Sequence, residues 1–517
     1  MKKLSKMVSL LLTAVMVLSV VGCGKPADKT TGTQTPDSSG ESTAQSGSQE
    51  DQENTDEEIV ELTMAYLVFS NPPSDMQLVA DEINKISEPE IGVRINIQAI
   101  NAGDYATQVN LMFNSGESLD IVQALTTNFS SWYSNGSLVS FSDELEQYGQ
   151  GIKEAVGEAY LKAGQVNGEQ YGITTNRDLA TGYGFNIRTD LLEKYEIDPA
   201  QIKSLDDMEA ALAKIHENEP SLVPLTINVE KANLFNNMKA GVDPLGDYMG
   251  VLMDMSSDEL KVENLFETER YKEFVTRMYD WHDKGYIQSD AATSSEVGPA
   301  LMQSGGTFAI SATTKPGLAT QVSNQTGYPI TMVEVFPADT CTTTVQTLQY
   351  AIAHNCERVD KAVQFLNLLY TNSDVANLLA WGIEGKHYQV QEDGHIDFPD
   401  GVDATNSGYN LNQGWLVGNQ FLTYVWTGDD LDIWDQLKSF NDDATISKAM
   451  GFTFNAEPVK TEYAACTAVL EQYRCSLESG AMEPEATLKQ FNDALYSAGL
   501  QTVIDEKQKQ LNEWANK

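Results

Sequence analysis

Leu62 to Phe69 is almost continuously apolar, and no other stretch of this 517-residue chain limits its fold so strongly. A strand that is hydrophobic at every position, rather than at alternate ones, is covered on both faces, as in a parallel sheet. The following residues extend that reading. Asn71-Pro72-Pro73 makes a turn, and Ser74 and Asp75 offer N-cap oxygens to a helix carrying Met76, Val79, Ile83 and Ile86 on one face. Val93 to Ile100 alternates apolar and polar and reads as a strand. Asp104 opens a second helix through Val109, Met112 and Phe113, and Ser118 to Ala124 is a third strand. Strand–helix–strand–helix–strand is the start of an open α/β sheet. Such sheets take ligands at the C-terminal ends of their strands, so loops 70–73 and 125–132 are expected at the site.

A second unit begins near Tyr171. Gly184 to Ile187 reads as a strand, Asp190 to Tyr195 as a helix, and Asp206 to His216 as a longer helix capped by Ser204 and stopped before Pro220. Further helices are expected at 269–284, 357–370, 373–380, 460–478 and 485–497. Tyr388 to Phe398 forms a hairpin around Asp393-Gly394.

The chain opens with Lys2, Lys3 and Lys6 before an apolar run from Met7 to Val21. That run has the length of a signal-peptide core and is short of a membrane span. Gly22-Cys23 behind it resembles the lipobox of bacterial lipoproteins, which implies a leader over 1–22 and lipid on Cys23. Residues 23–57 are Ser-, Thr-, Gly- and acid-rich, with eight acids against two lysines. Such a segment buries too little to offset its chain entropy and is expected to be a disordered tether. The protein is thus expected outside the cell membrane of a Gram-positive type bacterium, anchored by that lipid.

Composition narrows the partners. A net charge of −42 argues against nucleic acid and against an anionic lipid surface. Cys341, Cys356, Cys466 and Cys475 are too few for a disulfide framework in a chain of this size. Cys466 and Cys475 lie nine residues apart on one helix, which is about 13 Å at the helical rise, beyond bridging distance. Buried thiols are expected. Nucleophile elbows, metalloprotease helices, phosphate loops, dinucleotide glycine patterns and calcium loops are absent from the sequence, and its five histidines are scattered. A binding protein with no cofactor and no metal is expected, rather than an enzyme.

Several segments carry a family resemblance. Asp120-Ile121-Val122, then Gly136-Ser137-Leu138-Val139 and Phe141-Ser142-Asp143-Glu144-Leu145, are followed by Gly168-Glu169-Gln170-Tyr171-Gly172-Ile173 and Phe185-Asn186-Ile187-Arg188-Thr189-Asp190-Leu191-Leu192. Tyr279 to Ile287, Gly306 to Ile310, Phe365 to Tyr370 and Trp381 to Tyr388 come next, in the same order. Together they resemble family 1 extracellular solute-binding proteins of ABC importers, in the large Gram-positive Lpl-type lipoprotein branch. The resemblance implies a two-lobe, periplasmic-binding-protein-like α/β fold of type II with a hinge between the lobes. Lobe 1 is expected over 58–176 plus about 340–382, and lobe 2 over 177–339 plus about 383–517, including the C-terminal helical region. By the same analogy the chain crosses between lobes near 174–182, 337–345 and 380–386. The implied ligand is a carbohydrate, most simply an oligosaccharide, and the implied partner an ABC permease. A monomer is expected.

Sugars present CH faces that stack on aromatic rings and hydroxyls that need fixed polar partners. Trp132, Tyr183, Trp381, Trp415 and Trp426 lie in or beside loops, whereas Trp281 and Trp434 read as packing residues. The expected ligand-binding set is Asn71, Asn128, Trp132, Asn176, Arg177, Asp178, Tyr183, Trp381, Glu384, His387 and Trp415. A structural ion pair is as good a reading of Arg177 as a ligand contact. For a uronate ligand, Arg177 or Lys386 would face the carboxylate; the overall acidity favours a neutral sugar. The rival functions are a peptide-binding or sensory lipoprotein and, behind it, a surface glycoside hydrolase. No residue separates sugar from peptide.

Overall fold

A computed structural model describes residues 59–516, apart from 228–233 and 295–297. The leader, Cys23 and the tether over 23–57 lie outside the described residues. From Glu57 onward the chain forms one compact unit built on two five-stranded sheets.

The first sheet runs Val93–Asn101, Val60–Val68, Ile121–Leu125, Leu348–Ile352, Gly172–Thr174 across its width. Its first three strands are parallel, with Val60 opposite Val93 and Val68 opposite Asn101. The apolar run supplies the middle one of these three parallel strands: Leu62 and Met64 to Val68 are all buried, because helices cover both faces. Phe69, one residue past the strand, is 55% exposed. The helix Met76–Ile91 buries Met76, Val79 and Ile83 on the expected face. Its cap differs from expectation: the Asp75 side chain makes no cap hydrogen bond. Residues 126–134, expected in part as a site loop, form a helix.

The second sheet runs Thr445–Ile446, Ile330–Thr340, Thr181–Arg188, Thr307–Thr314, Val223–Thr226. Phe185 and Ile187 at its centre pack with Leu225, Ala309 and Val333, and this core takes in the C-terminal helices through Phe491, Leu495, Leu500, Val503 and Leu511. Ser204 caps the helix Leu205–Asn218, as its position suggested. A last helix, Leu500–Ala515, was not among the expected ones.

The first two passages between the sheets, over 175–180 and 341–347, overlap the expected 174–182 and 337–345. Thr174 ends a strand of the first sheet and Thr181 opens one of the second; Thr340 ends in the second and Leu348 begins in the first. The third does not. Trp381, Ile383, Tyr409, Leu411, Leu416 and Val417 all pack on the first core, so residues 383–417 belong with it rather than with the second. The chain leaves for the second sheet only after that, through a small cluster of Val425, Ile433 and Leu437, and arrives at Thr445. The physical cause is the length of the insert, which folds back on the helix Ser373–Trp381 before crossing.

Candidate functional site

The candidate site gathers at the C-terminal end of the first sheet. Phe69 follows the strand Val60–Val68 there, and its ring centroid lies 5.7 Å from Trp415. The turn that carries Trp415 is fixed from behind. Gln413 donates to the Leu67 carbonyl at 2.7 Å, and the Leu416 carbonyl accepts from Tyr350 Oη at 2.7 Å and Gln123 Nε2 at 3.0 Å. Gly414 in the same turn lies against Trp381, since a Cβ there would sit 3.8 Å from the indole. Trp381 continues to Trp426 at 5.6 Å, and Trp426 to Phe398 at 4.9 Å. The rings form a ribbon of two segments, Phe69–Trp415 at the end of the first strand and Trp381–Trp426–Phe398 in the insert, which meet through the backbone of Gly414. The Trp381 Nε1–H is buried without a protein acceptor, a donor that a bound hydroxyl would satisfy.

A charged group adjoins the ribbon at the first passage. The Arg177 guanidinium lies 5.9 Å from the Trp415 ring centroid and donates to the Asp178 carbonyl at 2.7 Å. Lys315, just past Thr307–Thr314 of the second sheet, donates to Asp178 Oδ2 at 2.8 Å. Burial opposes ionisation of Asp178, but the attraction of Lys315 and Arg177 outweighs it and holds the carboxyl below its ordinary range. This ion triad therefore ties the first passage to the second sheet beside the aromatic ribbon.

The expected residues divide into three groups. Trp381, Trp415, Arg177 and Asp178 come together as described. Asn71 is exposed in the turn beside Phe69, and Asn128 is partly exposed on the helix Thr126–Ser134. The remainder serve the framework. Trp132 is buried between Tyr105 and Phe113, with Nε1 donating to Asn110 at 2.8 Å, so it is core. Tyr183 is 1% exposed, and its hydroxyl donates to the buried Asp339 at 2.7 Å, where Lys239 also donates at 2.8 Å. Asn176 is buried against Asn419 and Gly418 and pins the insert to the first passage.

Glu384 and His387 lie in a turn of the first lobe, not at a crossing. His387 Nδ1 accepts from the Ile383 N–H at 2.8 Å, so Nε2 carries the proton and donates to Asp75 at 3.1 Å. Burial lowers the His387 pKa, with the hydrogen bond to Asp75 acting against it. Lys386, the possible partner of a uronate, is instead bonded to Asp75. Asp75 is held below the ordinary carboxylate range by Lys386 first and His387 second. Phe69, Phe398, Trp426 and Lys315 were absent from the expected set. Phe69 had a legible signal, as the last apolar residue of a buried strand that runs into an expected site loop, and Trp426 had one as an aromatic residue beside a loop.

Comparison with known proteins bears on what this arrangement serves. Residues 80–383 match the model of a bacterial extracellular solute-binding protein, and residues 448–516 match a domain of unknown function. A carbohydrate ABC transporter substrate-binding protein of Streptococcus pneumoniae serotype 4 is 28% identical over 458 residues, covering 87% of this chain and 90% of the relative. Lipoprotein LipO of Bacillus subtilis is 25% identical over 241 residues, covering 44% of this chain and 45% of LipO. The crystal structure of the N-glycan transport solute-binding protein NgtS from Streptococcus pneumoniae has a TM-score of 0.75 at 26% identity, over 88% of this chain and 98% of that one. NgtS has also been crystallised in complex with Man1GlcNAc and Man5GlcNAc.

Proposed function

The chain belongs to the bacterial extracellular solute-binding proteins, and we propose that within that family it is a lipid-anchored receptor for oligosaccharides. It captures glycan between its two lobes and presents it to the permease of an ABC importer. Lipid on Cys23 holds it at the outer face of the cell membrane, and residues 23–57 give the body reach. The body works as a monomer, with one lobe over 59–174 and 348–417 and the other over 181–340 and 445–516.

The observation that carries this reading is the aromatic ribbon from Phe69 to Phe398. Its rings offer apolar faces in series, as the CH faces of successive sugar rings require. Asn71, Arg177 and Asp178 supply polar groups at its edge, and Asn128 offers another from the helix Thr126–Ser134. Binding moves the lobes together because the ligand touches both, and the closed form is what the permease reads. No bond in the ligand is broken.

The reading is tested by titrating a panel of high-mannose fragments, other oligosaccharides, monosaccharides and short peptides into the body from Glu57 onward. Binding of one glycan class without new reducing ends is the expected result. Binding confined to peptides, or consumption of the glycan, contradicts it.

A further inference from the structure

The C-terminal helices do more than cover the second core. Lys507, on the helix Leu500–Ala515, has a fully buried side chain, and its ammonium donates to Asp247 at 2.6 Å and to the Gly250 carbonyl at 3.2 Å. A buried ammonium is costly unless it is paired and fully hydrogen-bonded, so the position of Lys507 fixes the position of Asp247. Asp247 in turn accepts from the Met249 N–H at 2.7 Å. Tyr248 lies against the Arg474 guanidinium, 4.7 Å from its ring centroid, and Arg474 belongs to the helix Lys460–Glu478.

The turn so held is strained. Leu245 and Tyr248 have φ of 45° and 65°, a region that residues with side chains avoid. Strain of this kind persists only where surrounding structure imposes it, and it concentrates at binding sites.

The turn faces a cavity of about 160 Å³. Asp247, Phe454 and Tyr463 line it from the second lobe, Thr343 from the second passage, and Thr126 and Ser130 from the first lobe. Thr126 directly follows the strand Ile121–Leu125, so this cavity opens at the same end of the first sheet as Phe69.

We propose that this cavity is a sugar subsite whose far wall is set by the C-terminal helical region, with Lys507 as the positioning residue for Asp247. The proposal rests on the oligosaccharide reading above. The Asp247 carboxylate accepts hydroxyl hydrogens, the Thr and Ser hydroxyls accept and donate, and Phe454 and Tyr463 offer apolar faces. A sugar seated there touches both lobes and so favours their closed arrangement.

The test uses Lys507→Met, which removes the ammonium and keeps the volume, alongside Asp247→Asn, which keeps an acceptor oxygen for the ammonium should the first variant not fold. Hydrogen exchange of residues 243–250 should rise in Lys507→Met while the helices themselves stay protected; unchanged exchange there would overturn the positioning role. Both variants should lose tenfold or more of the affinity gained when a glycan is lengthened, while a short fragment binds as before. Equal losses for short and long glycans, or no loss, would overturn the subsite. Failure of the unaltered protein to bind any glycan would defeat the receptor reading and the subsite with it, leaving the exchange result to decide the positioning role by itself.

Discussion

Trp415 is the residue on which the proposed binding depends most. It is half-buried, with one neighbour in Phe69 and another in Arg177, and its turn is fixed by hydrogen bonds from Gln123, Gln413 and Tyr350. Trp415→Ala should weaken oligosaccharide binding by tenfold or more, about 1.4 kcal/mol. The melting temperature should fall little, because the backbone bonds of the turn do not involve the indole; calorimetry and a thermal melt on one sample separate the two effects. A second residue-scale expectation concerns acid. The folded pKa of His387 lies below its unfolded value of about 6.5, so the unfolded chain binds the proton first. The stability His387 contributes is therefore present above that value and lost as pH falls through the folded one. Asp75, also lowered, adds a loss at lower pH still. His387→Gln should flatten the fall in melting temperature between about pH 7 and about pH 5; an unchanged slope would remove His387 as the cause.

At the level of elements, much was legible because periodicity reports burial. The run from Leu62, the alternation from Val93, the Ser204 cap and the Asp393-Gly394 hairpin all specify local structure by local means, and each element is present. What sequence could not show was which aromatic residues face outward. Trp132 and Tyr183 sit by expected loops, yet each spends its polar atom on another side chain of the framework, Asn110 and the buried Asp339. Those partners lie 22 and 156 positions away along the chain. The helix over 126–134 was hidden because Thr, Asn and Ser dominate it, residues that favour turns when read alone. The third passage was misplaced because nothing local marks where the insert from 383 to 417 packs. The central strand of the second sheet offers an element-scale test. A Cβ on Gly184 would stand 1.9 Å from the Val333 carbonyl oxygen of the neighbouring strand, so Gly184→Ala must push the two strands apart. Overpacking of that kind costs about 1–3 kcal/mol, and a melting temperature equal to that of the unaltered protein would contradict the tight register described.

The whole molecule is two cores joined by passages at 175–180, 341–347 and 418–444, with charged and aromatic groups gathered where the first passage meets both sheets. A neutral glycan should bind this strongly acidic protein with little dependence on salt, within about twofold between 0.05 M and 0.5 M, since no net charge is neutralised on binding. A steep salt dependence would point to a charged ligand held by Arg177 or Lys315. The most direct test of the central claim is calorimetric titration of the body from Glu57 with an oligosaccharide series of increasing length, with radius of gyration measured on the same samples. Saturable binding of one glycan class, accompanied by a smaller radius and no new reducing ends, is the predicted result. Glycan that is cleaved, or a protein that binds peptide and no glycan, would contradict it.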